Sequence, residues 1–110
     1  MSTTPIGPIQ TQHCDSMNEV RSHIDALDAR IVRLLVERTG YMSQAARIKG
    51  DANKVYDQGR IDFIVARVRQ MALELGGQAD VVEAGYRALI DASIAFEHQE
   101  FARLRQGEFA

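Results

Sequence analysis

Two cationic side chains at helical spacing are the first candidates for chemistry in this sequence. Arg38 and Lys49 are eleven residues apart, close to three helical turns, which puts both on one face about 16 Å apart. Both side chains are long, so the pair predicts a pocket for one small dicarboxylate. Arg21 lies about 25 Å from Arg38 along the same helix and off that face. It can reach such a ligand only from a second chain, and without a ligand these cations are ordinary surface residues.

Further candidates lie on later segments of the chain. Arg60 is placed in the first turn of a predicted helix, where a cation opposes the helix dipole unless it contacts an anion. Ser93 and Glu97 are four residues apart and share a helix face. For Glu97 the helical pattern alone favours a solvent-facing side chain. The sequence has no nucleophile–base pair, glycine-rich phosphate loop or metal-ligand spacing, so it offers no obvious covalent catalyst and no metal site.

The first element that must position these residues is a long helix. Ser16 and Glu19 form a capping-box pattern, so the helix is predicted to begin at Ser16, and Gly50 is predicted to end it. A stripe with alternating steps of three and four residues follows the helix, as in a coiled-coil seam. It consists of Met17, Val20, Ile24, Leu27, Ile31, Leu34, Arg38, Tyr41, Ala45 and Ile48.

This helix is too long for its own domain. It would extend about 50 Å, whereas a compact chain of this size has a radius of gyration of about 13 Å. Two shorter helices cannot cover its whole seam. We therefore expect a two-fold homodimer in which the long helices pair antiparallel near Leu35 and bring the partner's Arg21 beside Lys49.

Two further helices complete an all-α fold. Asp57 is the predicted N-cap of the second helix, which Gly76 and Gly77 terminate. Asp80 is predicted to begin the third helix, with Glu83 completing a box-like cap. The apolar face of the second helix is predicted to contain Ile61, Ile64, Val65, Val68, Ala72 and Leu75. That of the third is predicted to contain Val82, Tyr86, Leu89, Ile90, Ile94, Phe96, Phe101 and Leu104.

Composition bounds the class of protein. The chain has 110 residues, 45% of them hydrophobic, and a net charge of −2, which argues against nucleic-acid binding. It has no stretch of transmembrane length and no secretory signal, so we expect a cytoplasmic protein that does not associate with membranes. We predict a disordered tail over residues 1–14, one helical domain over residues 15–106 and a frayed end over residues 107–110.

Taken in order, these residues match a known family. The set resembles that of the all-helical (AroQ-class) chorismate mutases, and the segments VRSHIDALDARIVRLLVERTGYMSQAARIKG and LIDASIAFEHQ are similar to the first and third helices of that family. The resemblance covers roughly residues 15–104. It implies rearrangement of chorismate to prephenate without metal, cofactor or covalent intermediate. The residues that carry it are Arg21, Asp28, Arg38, Lys49, Asp57, Arg60 and Ser93.

The resemblance also implies roles for these residues. Arg38 and the partner's Arg21 would bind the two substrate carboxylates, and Ser93 would lie near a carboxylate. Lys49 would donate to the breaking ether oxygen, which Glu97 would face from the other side. The ring-hydroxyl end would be lined by Asp57, Arg60 and Ile61.

Two positions depart from the family's usual pattern. Many bacterial members have glutamine where this chain has Glu97, and a carboxylate there helps only when it carries a proton, so we expect burial to favour the protonated form. Many mutases have glutamate where this chain has Ile61. The related isochorismate-pyruvate lyases have an apolar residue there.

Three functions therefore stay open. The first is a chorismate mutase. The second is an isochorismate-pyruvate lyase that makes salicylate and pyruvate, or a mutase for an amino analogue of chorismate. The third is a non-catalytic helical dimer that binds a metabolite or another enzyme.

Overall fold

Three α-helices form the protein in a computed structural model that describes residues 7–106. Helix α1 spans Met17–Ile48, α2 spans Gln58–Glu74 and α3 spans Ala79–Gln106, with a short 3-10 helix at Ala52–Lys54. The described range contains no β-strand, which confirms the predicted all-α class. Over residues 7–106, every helix is too short or too polar to span a membrane.

The capping pattern before α1 forms as a physical cap. The Ser16 hydroxyl accepts the backbone N–H of Glu19 at 3.2 Å, so Ser16 is the N-cap and helical geometry begins at Met17. The Glu19 carboxylate accepts the N–H of Asp15 at 3.0 Å rather than that of Ser16. The bond to Ser16 satisfies one of the N–H donors that a helix start leaves without an intrahelical partner, and the bond to Asp15 ties the preceding residue to the first turn.

The end of α1 differs from the prediction. The helix stops at Ile48, and its C-cap is Lys49 in an extended conformation with φ −66° and ψ 132°. The glycines with positive φ in residues 7–106 are Gly7 and Gly76, so Gly50 does not form the expected left-handed cap. The last carbonyls of α1 are instead bonded by a side chain of α3.

The predicted stripe on α1 also drifts relative to the packed face. In the second half of the helix, Tyr41 and Ile48 are 64% and 69% exposed, while Ala46, which is outside the stripe, is fully buried. A stripe with a mean step of 3.5 residues rotates about 20° per heptad on a straight helix of 3.6 residues per turn. The face that packs on α3 therefore moves by one residue, from Tyr41 to Met42.

A tight turn connects α2 and α3. The Asp57 carboxylate accepts the N–H of Arg60 at 3.0 Å and caps α2, as predicted. At the other end, the Gly77 N–H bonds the Ala72 carbonyl at 2.7 Å and the Gly76 N–H bonds the Leu73 carbonyl at 3.1 Å, a Schellman motif. Gly76 has φ +75°, which a residue without a Cβ adopts without strain.

The predicted cap of α3 is wrong. The helix begins at Ala79, one residue early, and the carboxylates of Asp80 and Glu83 accept from Arg69 of α2 at 2.9 and 2.7 Å. Hydrogen bonds from Arg87 and Arg69 lower the pKa of Glu83, and bonds to Asp80 and Glu83 raise the pKa of Arg69. The two acids therefore stabilise the α2–α3 contact instead of a helix start.

The core lies on α3, which packs against both α1 and α2. All eight residues of the predicted apolar face of α3 and all six of that of α2 are buried or half-buried. The molecule measures 60 × 30 × 28 Å with a radius of gyration of 17.7 Å, well above the value of about 13 Å for a compact chain of this size. The excess is the N-terminal half of α1, which extends beyond the core.

The structure describes only part of the predicted N-terminal tail. Residues 1–6 of that tail and the predicted frayed end, residues 107–110, lie outside the described residues. Residues 7–14 contain no helix or strand, and the Ile9 N–H bonds the Leu75 carbonyl at 2.9 Å beside the α2–α3 turn.

Candidate functional site

A pocket of about 210 Å³ opens between α1, α2 and α3. Its wall combines three cations and two carboxylates with a largely apolar lining, an arrangement typical of small-molecule sites. Of the eight residues that the sequence nominated, seven line this pocket and one does not. The lining consists of Arg38, Met42, Ala45, Lys49, Val55, Asp57, Arg60, Ile61, Ile64, Ile90, Ser93, Ile94 and Glu97.

Arg38 is held by a side chain of α3. Its Nη1 donates to the Ser93 hydroxyl at 2.9 Å, and that hydroxyl donates to the Leu89 carbonyl at 2.7 Å. The guanidinium has further N–H donors, which are not used by any carboxylate of the described residues. Arg38 is therefore a fixed cation that can bind a ligand carboxylate with two parallel hydrogen bonds.

Lys49 and Glu97 form an ion pair in the wall of the pocket. The Lys49 Nζ lies 3.1 and 3.3 Å from the two carboxylate oxygens of Glu97. Glu97 is only 4% exposed, whereas helical pattern alone favoured a solvent-facing side chain. A buried carboxylate in contact with one ammonium group places a donor and an acceptor at a single point of the ligand site.

The third group lies at the start of α2. Arg60 lies over the Phe63 ring, with its Cζ 5.3 Å from the ring centroid. Asp57 uses one oxygen, Oδ1, for the helix cap, which leaves its other oxygen for a ligand. Ile61 adds an apolar surface beside them. Because all three positions fall within four residues of one helix start, the Asp57 cap itself fixes this end of the pocket.

Arg21 is the one nominated residue that the chain keeps apart from the others. It is exposed on the N-terminal half of α1 and does not line the pocket. This placement agrees with the sequence argument that a single chain cannot bring Arg21 to the ligand of Arg38.

Sequence analysis missed several residues that build the site. The apolar wall includes Val55, which is 4% exposed although it falls between Gly50, the predicted end of the first helix, and Asp57, the predicted N-cap of the second. Arg105 was also missed: its Nη1 donates to the Ala46 carbonyl at 3.0 Å and its Nη2 contacts the Lys49 carbonyl. Only indirect signals pointed to these two residues. Val55 is an apolar residue in a polar segment, and Arg105 is a cation in the last turn of α3.

A second cleft of about 230 Å³ adjoins the pocket and shares Arg38 and Arg60 with it. Arg67 and Tyr86 also line this cleft, whose lining contains no carboxylate. Within residues 7–106, no group of three or more His, Cys, Asp or Glu side chains is placed to hold a metal ion.

The comparisons with known proteins identify the family of the chain. A search among curated proteins found no match. The family model described as chorismate mutase type II matches residues 20–98, which include all of α2 and most of α1 and α3. Arg21, Arg38, Lys49, Asp57, Arg60, Ser93 and Glu97 all fall within that range. With an all-helical fold and a pocket built from the three helices, the chain belongs to the chorismate mutase type II family.

Proposed function

We propose that the protein is a chorismate mutase that converts chorismate to prephenate. The observation that carries this proposal is the pocket in which Arg38, Lys49 and Arg60 converge on an apolar wall with Ser93 and Glu97. Chorismate is a ring with two carboxylates and an enolpyruvyl ether. Its rearrangement breaks one C–O bond and forms one C–C bond without proton transfer, so it requires no nucleophile or base.

The first contribution of the pocket is conformational. A carboxylate of the substrate binds Arg38, whose guanidinium is already held by Ser93. A second carboxylate contact fixes the enolpyruvyl arm over the ring, close to the carbon that it attacks. Holding both reacting ends in this geometry removes entropy from the activation barrier before the bonds change.

The second contribution is electrostatic. Negative charge develops on the ether oxygen as the C–O bond breaks, and Lys49 would donate a hydrogen bond to that oxygen. An ammonium group fixed by the fold stabilises this charge more than it stabilises the neutral ether. Glu97 faces the same point, and its protonated form would donate a second hydrogen bond.

The proposed site is complete only in a homodimer. The stripe residues Met17, Ile24, Leu27, Ile31 and Leu34 are between 49% and 64% exposed in the single chain. A row of half-exposed apolar side chains on a helix that leaves its own core is the surface that a second copy would cover. Antiparallel pairing would bring the partner's Arg21 to the second carboxylate.

A second activity is supported by Ile61. Its apolar side chain stands in the pocket beside Asp57 and Arg60, where a glutamate would contact the ring hydroxyl of chorismate. A pocket that binds this hydroxyl less tightly is compatible with isochorismate as the substrate. A lyase would release pyruvate from isochorismate and leave salicylate. The same cations would serve both reactions, because both substrates carry two carboxylates.

A side-by-side assay tests the proposal. Purified protein is given chorismate or isochorismate, with prephenate followed by absorbance and salicylate by fluorescence. Prephenate from chorismate supports the mutase, and salicylate from isochorismate supports the lyase. Absence of both products would contradict the two enzymatic functions and favour a non-catalytic helical dimer.

Arg38→Ala and Arg33→Ala provide the matched pair of variants. Arg38 lines the pocket, whereas Arg33 is exposed on the same helix outside it. We expect Arg38→Ala to lower kcat/KM by about a hundredfold or more, as for loss of a fixed charge-stabilising donor, and Arg33→Ala to leave it unchanged. Equal effects of the two substitutions would contradict this pocket as the site.

A further inference from the structure

Lys49 is held at both of its ends by one face of α3. Glu97 accepts from its ammonium group at 3.1 Å, and Arg105 donates to its backbone carbonyl. Glu97 and Arg105 are eight residues apart, about two helical turns, so they lie on the same side of α3. Lys49 itself is not helical: it is the C-cap of α1, where the backbone turns away from the helix axis.

Arg105 takes the place of a glycine cap at this helix end. Its guanidinium donates to the backbone carbonyl of Ala46 at 3.0 Å and to the backbone carbonyl of Arg47 at 3.5 Å, in addition to its contact with the Lys49 carbonyl. Its Cζ is 3.9 Å from the centroid of the Phe101 ring, which fixes the plane of the guanidinium. A planar cation with several donors satisfies the carbonyls at the negative end of the helix dipole.

We propose that Arg105 is a positioning residue for Lys49. The Lys49 N–H bonds the Ala45 carbonyl at 2.9 Å, but no helical turn follows to hold its own carbonyl. The Arg105 contact with that carbonyl therefore completes the restraint on the backbone from which the Lys49 side chain begins. Glu97 then sets where the side chain ends. The inference deepens the proposed function, on which it rests, because it explains how a residue at the end of a helix presents its ammonium group at one fixed point.

The chain contains a matched control for this proposal. Arg103 is also in the last turn of α3, but it pairs with Glu100 of its own helix. Hydrogen bonds from Arg103 and Ser43 lower the pKa of Glu100, so this neighbouring pair is an ionic contact of its own. Arg103→Gln therefore removes a cation from the same turn without removing a bond to the end of α1.

A chemical test does not depend on catalysis. Lys49 and Lys54 are the lysines of the chain, and Lys54 is exposed in the short 3-10 helix. Reductive methylation of the intact protein, quantified at each lysine by peptide mass spectrometry, gives the rate at Lys49 relative to that at Lys54. We expect this ratio to be low in the natural chain and to rise about tenfold in Arg105→Gln, as for loss of one charge-assisted hydrogen bond. Arg103→Gln should leave it unchanged.

A kinetic test then links position to turnover. Arg105→Gln should lower kcat by about ten- to a hundredfold, as expected when a reacting group is misplaced by about 1 Å, with a much smaller change in KM. Arg105→Lys, which keeps the charge but not the planar donors, should recover part of the loss. Circular dichroism and thermal unfolding check that each variant retains its helices.

The possible failures are distinguishable. A protein that converts neither chorismate nor isochorismate contradicts the proposed function but leaves the methylation ratio as a measure of Lys49 placement. A methylation ratio that is equal in Arg105→Gln and Arg103→Gln, with both variants folded, would overturn the positioning role whatever the activity.

Discussion

At the scale of single residues, Glu97 carries the most specific consequence for the chemistry. It is the only charged side chain among the buried residues of the described chain, and its carboxylate faces the Lys49 ammonium group. The charged groups around it are Lys49 and Arg38 from α1, and Asp57 and Arg60 from the start of α2. A doubly negative ligand in this pocket would therefore meet three cations and, at Glu97, a buried carboxylate that repels it.

Glu97→Gln tests that consequence. A carboxylate repels the negative charge that develops on the ether oxygen, whereas a glutamine amide of the same shape donates a hydrogen bond to it. We therefore expect Glu97→Gln to keep or raise kcat for chorismate. The comparison measures kcat and KM, with Glu100→Gln on the same helix as the control. A large loss of kcat in Glu97→Gln, with its helices retained by circular dichroism, would contradict the role assigned to Glu97.

The sequence was informative about which residues meet, and less so about how each is held. Eleven-residue spacing predicted that Arg38 and Lys49 share a ligand, and both line one pocket. The sequence could not show that Glu97 is buried, because the helical pattern alone favours a solvent-facing side chain at that position. Burial depends on the crossing of α1 over α3, and no local pattern encodes that crossing.

At the scale of elements, side-chain contacts join α2 to α3 beyond their apolar faces. Arg69 of α2 contacts both Asp80 and Glu83 of α3, and Arg87 contacts Glu83 from the next turn. The lowered pKa of Glu83 means that the folded state favours its ionised form. Stability from this group is fully present above its unfolded pKa, near the ordinary value of 4.5, and is lost as pH falls through the lower folded value.

Glu83→Gln should therefore change how the free energy of unfolding depends on pH under acidic conditions. Because the substitution removes the group whose pKa is lowered, we expect the free energy of unfolding to decrease above pH 4.5 and to depend less on pH below it. Urea unfolding followed by circular dichroism at several pH values measures both effects. Glu37→Gln, an exposed carboxylate of α1, is the control. A parallel shift of the whole curve would show that Glu83 does not contribute through its ionisation.

Element ends show where sequence patterns were ambiguous. Asp57 and Asp80 both precede apolar periodic segments, yet only Asp57 caps its helix. Asp80 lies within reach of Arg69, and a charge-assisted contact of this kind competes with capping. At Gly50 the glycine rule failed because Arg105, more than fifty residues away, satisfies the carbonyls that a left-handed glycine would otherwise serve.

At the scale of the whole molecule, the proposed dimer makes a prediction about mixed chains. If each site takes Arg38 from one chain and Arg21 from the other, Arg21→Ala and Arg38→Ala should each abolish activity. A hybrid of the two variants contains one site with both arginines and one site with neither. Unfolding and refolding the two together should therefore restore about a quarter of the natural activity, since half of random pairs are hybrids.

The mixing experiment has an internal control. Each variant refolded alone measures its own residual activity, and sedimentation shows whether the chains associate. A refolded mixture no more active than the mean of its components would contradict the sharing of arginines between chains, even if both variants form dimers. A monomer at all concentrations would contradict the proposed assembly itself.

The overhang of α1 has a consequence for how this protein reaches its ordered form. Single helices of fewer than about 12–15 residues are marginal in water, and longer ones still draw most of their stability from packing. Residues 17–34 extend past the core with their apolar stripe largely uncovered in the described chain. If a second copy covers this stripe as proposed, order in this half depends on the concentration of the chain. Dilution alone would then loosen it, so the amount of chain in solution would also govern its shape.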